Sequence, residues 1–139
     1  SNTMQTITST SLTNITDLSI TMTPKDANNL LVMQSVISAN LAYVNSLTIL
    51  KDGAKTVTTT QTNSNEADTH ITYFDGIEVG RLLAHPIIHY ETAGSTSSRT
   101  YTVAGTSGWA GTTYSMIVNN RSGSDMGSTS WFLIMEIAQ

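Results

Sequence analysis

Residue types that often carry out catalysis or bind metals cluster once in this sequence, in the segment His85-Pro86-Ile87-Ile88-His89-Tyr90-Glu91. If this segment is a regular strand, His85, His89 and Glu91 share one face. At ~3.3 Å per strand residue, His85 and His89 then lie about 13 Å apart, too far for one ion to be ligated by both within ~2.1 Å. His89 and Glu91 would need a third ligand from elsewhere in the chain. We therefore predict surface or interface histidines, with no metal and no cofactor.

The other reactive residues form no recognisable catalytic motif. No serine stands in a Gly-x-Ser-x-Gly elbow, and the lack of cysteine removes any thiolate nucleophile. Most acids occupy turn-like positions, and Asp125 lies in a polar segment that lacks the alternating acids and closing Glu of an EF-hand. We predict that the chain is not an enzyme. The alternative is a hydrolase in which the fold assembles two acids or a histidine–acid pair.

Aromatic residues indicate a different kind of site. Trp109 lies in Gly108-Trp109-Ala110-Gly111, where an exposed ring with Tyr101 or Tyr114 near it could stack on a sugar or a partner protein. In the other arrangement, which we favour, the Trp109 ring folds back and plugs one end of the domain. Trp109, Tyr101 and Tyr114 are thus candidate ligand contacts, and a carbohydrate-binding module is an alternative function.

The composition narrows the class of protein. The 139 residues include 24 Thr, 17 Ser and 10 Asn, residue types that suit half-buried strands, edges and turns. The formal net charge is −4 and the six Lys and Arg are scattered, which argues against a nucleic-acid surface. No apolar run approaches the ~20 residues of a membrane span. We expect neither nucleic acid nor a membrane as a partner.

Alternating runs separated by turn residues predict about eight strands. The runs cover Leu12–Met22, Leu30–Ser38, Leu47–Leu50, Lys55–Thr60, His70–Phe74, Leu82–Tyr90, Arg99–Val103, Thr112–Val118 and Ser130–Ile137. Asp52-Gly53 between two of these runs is a strong hairpin signal. The apolar residues of Leu30–Val44 also fit a helix face, but their neighbours favour a strand that ends near Asn40. We predict one all-β domain over residues 4–139, an antiparallel β-sandwich, with residues 1–3 left from expression.

Several segments, taken in order, resemble small β-domains of bacteriophage, especially marine phage, tail-fibre and virion proteins. Leu18–Pro24 with Leu30–Val36 resembles their "ITP…KVLVMxSV" opening, and Leu50-Lys51-Asp52-Gly53 resembles their "RDGT" hairpin. Glu91–Val103 resembles "DxPxTTSxxTYxV" without its usual Pro. Val118–Arg121, Asp125 and Ser130–Ile137 resemble the closing "INR…D…SxLxLMEI". The resemblance covers about Leu18 to Ile137.

The resemblance implies a jelly roll like the heads of tumour necrosis factor and complement C1q, which are typically trimers. It also implies a structural role in a virion assembled in the bacterial cytoplasm, as part of a fibre, spike or capsid surface. The expected partners are other virion proteins and, in attachment to the host, a cell-surface glycan. In such a trimer the apolar strand Trp131–Ala138 would face its own sandwich on one side and a neighbouring subunit on the other. Trp131, Leu133, Met135 and Ile137 are the candidate oligomer interface. Glu136 would pair with Arg121, Arg99 or a neighbouring subunit.

Overall fold

The structure is a computed structural model that describes residues 1–41, 43–57, 69–75, 82–109, 112–120 and 127–139. The strands are β1 (Gln5–Ile7), β2 (Thr13–Met22), β3 (Leu30–Leu41), β4 (Tyr43–Lys51), β5 (Ala54–Lys55), β6 (Ile71–Asp75), β7 (Leu82–Thr92), β8 (Arg99–Trp109), β9 (Thr112–Thr113), β10 (Met116–Val118) and β11 (Trp131–Ile137). Helices are absent from these ranges, so no membrane-spanning helix occurs there.

The strands form two antiparallel sheets. In sheet A, β3 is central: it pairs with β7 along one edge and with β10 and β11 along the other, and β1 pairs with β10. In sheet B, β8 lies between β2 and β4, β5 and β6 continue the sheet beyond β4, and β9 pairs with the end of β8. The chain crosses between the sheets several times, with β1, β3, β7, β10 and β11 in sheet A and the other strands in sheet B.

The hydrophobic core lies between the two sheets, because alternate residues of each strand point towards the opposite sheet. Its fully buried side chains come from strands of both sheets: Leu31, Met33 and Ile37 from β3, Leu47 and Ile49 from β4, Tyr101 and Val103 from β8, and Met116 and Val118 from β10. The predicted all-β antiparallel sandwich is therefore confirmed.

The segment that begins at Leu30, whose apolar residues also fitted a helix face, is the strand β3 in the structure. Its residues alternate between half-buried and buried from Leu30 to Ser38, which is the period of a strand with one face in the core. The strand continues to Leu41, past the turn predicted near Asn40. Pairing on both edges supplies the backbone hydrogen bonds that an isolated segment would have obtained from a helix.

A bulge in β2 allows two residues with odd spacing to reach the core. The pairing of β2 with β8 shifts between Asn14 and Ser19, and Asp17 between them has a φ of 61°. Aspartate tolerates this left-handed conformation better than most residues. Ile15 and Leu18, three residues apart, are consequently both buried.

The predicted hairpin at Asp52-Gly53 is confirmed. Leu50 pairs with Lys55 and Lys51 with Ala54, while Asp52 and Gly53 have φ values of 50° and 83°. Two positive φ values are characteristic of the type I′ turn that matches the twist of the strands. The part of the predicted strand Lys55–Thr60 beyond residue 57 lies outside the described residues.

Gly105 in β8 provides a test of the packing between β8, β4 and β10. A methyl group there would collide with the Met116 side chain and come within 3.1 Å of the backbone oxygen of Ser46. We predict that Gly105→Ala lowers the free energy of unfolding by about 1–3 kcal/mol, measured by urea denaturation. Gly127→Ala is the matched control, because its methyl group would meet only an ordinary contact at 3.8 Å. Equal stability of the two variants would contradict this packing.

Candidate functional site

An apolar face covers the outside of sheet A across β11, β3 and β7. Strand pairing arranges its side chains in four rows: Trp131–Val36–Pro86, Leu133–Gln34–Ile88, Met135–Val32–Tyr90 and Ile137–Leu30–Thr92. Residues directly opposite each other in an antiparallel pair project from the same face. We call these twelve residues the outer grid.

The outer grid is exposed along β7 and β11 and half-buried along β3, and it carries no charged residue. Ile88 and Tyr90 are 66% and 70% exposed, and the four grid residues of β11 are between 37% and 44% exposed. Gln34 and Thr92 are its two polar members apart from the Tyr90 hydroxyl. Contiguous apolar patches of several hundred Å2 on a monomer commonly mark binding surfaces. The grid is therefore the strongest candidate for an interaction site among the described residues.

The sequence indicated only one of the three strands in this face. The four candidate interface residues Trp131, Leu133, Met135 and Ile137 all lie in the outer grid. The contribution of β7 was missed, although the signal was present. The same alternation that places His85, His89 and Glu91 on one face of the strand places Pro86, Ile88 and Tyr90 on the other.

The opposite face of β11 points into the sandwich. Phe132 and Ile134 pack against the core. Glu136 accepts hydrogen bonds of 2.7 Å from the Asn29 side-chain amide and from the Lys25 backbone N–H. The bond from Asn29 contributes most to lowering the pKa of Glu136. The predicted pairing of Glu136 with Arg99 is wrong, and Arg121 lies outside the described residues.

Arg99 instead organises the loop between β7 and β8. Its buried guanidinium donates hydrogen bonds to the backbone oxygens of Ala93, Ser95 and Ser97 at 2.5, 2.8 and 3.3 Å. A planar group with five donors can satisfy several carbonyls of one loop. Arg99 therefore positions the backbone that leads into β8.

Tyr101 is part of the interior and not a ligand contact. Its ring is fully buried, and its hydroxyl donates a 2.5 Å hydrogen bond to Glu91, which also accepts one of 2.8 Å from Lys51 Nζ. Burial and this hydrogen bond raise the pKa of Tyr101. Burial disfavours the Glu91 carboxylate, but the bonds from Lys51 and Tyr101 outweigh it and lower its pKa. The prediction that Tyr101 contacts a ligand is wrong because no ligand can reach the ring.

The other two candidate ligand contacts stay untested. The backbone of Trp109 ends β8 and pairs with Thr112, while the Trp109 side chain lies outside the part that the structure describes. Tyr114 is half-buried in the segment that follows β9. A ligand contact formed by Trp109 with Tyr114 therefore stays a prediction.

The histidines also face inward, which corrects the prediction of surface or interface histidines. His85 and His89 pair with the core residues Ile37 and Met33, so they project between the sheets. His85 is 8% exposed. The His70 and His89 rings meet edge to face with centroids 5.0 Å apart. This contact joins the segment before β6 to β7, and no feature of the sequence linked the two residues.

Hydrogen bonds fix the His70 ring. They also limit the chemistry open to the cluster that His70 forms with His89 and Glu91. His70 Nδ1 accepts a 3.3 Å hydrogen bond from the Ile49 backbone N–H and lies 3.0 Å from Thr48 Oγ1. His89 Nε2 lies 4.0 Å from Glu91 Oε2. This is a histidine–acid pair of the kind that the hydrolase alternative requires. Thr48, the hydroxyl beside His70, is nevertheless fully buried, so a substrate cannot reach it.

Within the described ranges, no group of three or more His, Asp or Glu side chains is placed to hold a metal ion. The His70–His89 contact and the Lys51–Glu91 ion pair instead connect β7 of sheet A with β4 and the start of β6 of sheet B. The cluster thus ties one edge of the sandwich together.

The fold places the chain among all-β proteins built from two packed antiparallel sheets. No protein-family model matches the chain, and no curated protein is similar enough to show a relationship.

The inward histidines predict a pH-dependent stability. Burial lowers the pKa values of His85 and His89, and burial together with repulsion from His89 lowers that of His70 from 6.5 to about 4. As the pH falls, the histidines of the unfolded chain therefore bind protons at a higher pH than the same histidines in the folded chain. The free energy of unfolding should decrease from about pH 6.5 towards pH 4, as the linkage relation requires.

The variant His70→Asn tests the origin of this dependence, because asparagine retains an acceptor but does not titrate. Urea midpoints measured from pH 7 to pH 4 should fall less steeply in the variant than in the parent chain. The other titratable groups around His70, namely His89, Lys51, Glu91 and Tyr101, are the same in both. A variant profile with the parent's slope would show that His70 is not responsible.

Proposed function

We propose that this chain is a structural assembly domain whose outer grid is buried between copies of itself, forming a homotrimer in a bacteriophage fibre, spike or capsid surface. The observation that carries the assembly part is the outer grid. The resemblance of the segments between Leu18 and Ile137 to phage virion domains supports the trimer and the location in the virion. Contact with other virion proteins, and attachment to a host receptor, belong to the same proposal.

The order of the strands supports the finer fold that the resemblance implies. Sheet A has the order β1, β10 with β11, β3, β7, and sheet B has the order β2, β8, β4, then β5 with β6. Three sets of successive strands stay within one sheet: β4 to β6, β8 with β9, and β10 with β11. Apart from these, each successive part of the chain crosses to the other sheet. Crossing of this kind builds the double Greek key of a jelly roll.

The size of the outer grid is appropriate for the centre of an interface. With strands ~4.8 Å apart and same-face residues ~6.7 Å apart, twelve positions cover about 390 Å2, roughly half of the ~800 Å2 per partner in a standard interface. At ~25 cal/mol per Å2 its burial contributes on the order of 10 kcal/mol. Association itself costs about 4–15 kcal/mol, so residues around the grid must add to the stability of the assembly.

The chemistry of the grid favours a second copy of this chain over a different partner. Permanent interfaces between identical subunits resemble a divided hydrophobic core, with few charged residues at the centre. The grid has no charge that would select a partner of opposite sign. The outer grid can be covered by the identical apolar surface of another copy, or by an apolar edge next to that surface. Neither contact needs a group of opposite charge.

The grid variants Ile88→Glu and Leu133→Glu test this proposal. Ile88 is 66% exposed and Leu133 43% exposed in the single chain, so each monomer should still fold. A carboxylate buried in the apolar interface should weaken association by roughly a hundredfold or more, a shift towards monomer that sedimentation velocity would show.

Thr21→Glu is the matched control, since Thr21 is exposed on β2 in sheet B. This variant should keep the parent mass, and circular dichroism should show the same fold in all three variants. If both grid variants also kept the mass of the parent oligomer, the interface would lie elsewhere and the proposal would fail.

A further inference from the structure

The strand β7 carries part of the outer grid on one face and titratable side chains on the other. The grid residues Ile88 and Tyr90 alternate with His85, His89 and Glu91, which project between the sheets. Because the two faces share one backbone, a change that displaces β7 from sheet B also displaces one of the three strands of the grid.

Few apolar contacts hold the inward face of β7. Ile87 is the one hydrophobic residue of this strand that is buried, and Leu83, on the same face, is 46% exposed. Within the described ranges β7 pairs with β3 alone, so it forms an edge of sheet A. Segments with few buried apolar contacts open locally at a lower cost than the core does. The attachment of β7 to sheet B therefore depends largely on its titratable side chains.

Added positive charge would be poorly compensated where His70 meets His89. Their Nε2 atoms are buried and, among the described residues, have no hydrogen-bond partner. The charged groups nearby are Lys51 from β4 and Glu91 from β7, and the Glu91 carboxylate is already bound to Lys51 and to the Tyr101 hydroxyl from β8. With neutral rings, Lys51 and Glu91 balance each other. With both rings protonated, three cations share one carboxylate, and the rings repel each other across 5.0 Å.

Protonation of His70 would also remove its hydrogen bond to sheet B. Its Nδ1 accepts from the Ile49 backbone N–H, so the neutral ring carries its proton on Nε2 and an added proton must go to Nδ1. The Thr48 hydroxyl, 3.0 Å away, can accept from this new donor, but the Ile49 N–H loses its acceptor. A buried N–H without a partner destabilises the contact further.

We propose that acid dissociates the assembly by releasing β7: when His70 and His89 take up protons, the strand separates from sheet B and the outer grid loses the residues that it contributes. The inference rests on the proposed self-assembly through this grid. Proton uptake favours the opened state, in which the rings are hydrated. Association should therefore be strongest above about pH 6.5 and weaken as the pH falls towards about 4. The strands β3, β10 and β11 contain no histidine, so the rest of sheet A gains no such charge.

Sedimentation velocity at pH 7.5 and pH 5 tests the release. Association of the parent chain should weaken about tenfold or more at pH 5 and recover when pH 7.5 is restored. His70→Asn and His89→Gln each remove one titrating ring and keep a polar side chain, so each should lose most of this pH response. His85, the third inward histidine, is unchanged in both variants.

Ile87→Val is the matched control, because it loosens the inward face of β7 at every pH without changing a titratable group. Its association should be weaker than the parent's at both pH values, with the parent's ratio between them. An acid response that survives in both histidine variants would overturn the proposal.

Hydrogen exchange in the grid variant Leu133→Glu separates the release of β7 from the assembly itself. After correction for the intrinsic pH dependence of exchange, the amides of β7 should exchange about tenfold faster or more at pH 5 than at pH 7.5, while those of β8 change little. Amides of β7 that stay protected at pH 5, or a parent oligomer of unchanged mass there, would overturn this inference alone. A parent chain that is monomeric at pH 7.5 would instead contradict the proposed self-assembly and, with it, this inference.

Discussion

The apolar character of both faces of β3 is the constraint on which the rest of the structure depends. Leu31, Met33 and Ile37 fill the core, while Val32 and Val36, between them on the same strand, form the middle of the outer grid. A strand that is apolar on both faces must be central in its sheet and covered on both sides. Pairing with β7, β10 and β11 meets the first requirement, and sheet B covers one face. The other face is the one that the proposed homotrimer would cover.

The features that sequence patterns predicted are those set by neighbouring residues. Alternation along Trp131–Ile137 separated the grid side chains from Phe132 and Ile134, and Asp52-Gly53 specified a hairpin through its backbone preferences. The all-β class followed from many short runs separated by turn residues. In each case the residues that determine the structural feature lie within about ten sequence positions of it.

The features that were missed depend on which strands become neighbours. The sequence places His70 and His89 nineteen positions apart, and only the approach of β7 to β4 and β6 brings their rings to 5.0 Å. Tyr101 was predicted to contact a ligand because nothing local indicated that Glu91 would take its hydroxyl.

Solution mass measured by light scattering across a dilution series would show directly whether the chain forms the proposed homotrimer. The proposed homotrimer should have a constant mass near three times the 14.9 kDa of the chain, maintained on dilution into the micromolar range. A mass of 14.9 kDa at every concentration would contradict it. The outer grid would then be an apolar face that this protein leaves exposed to water.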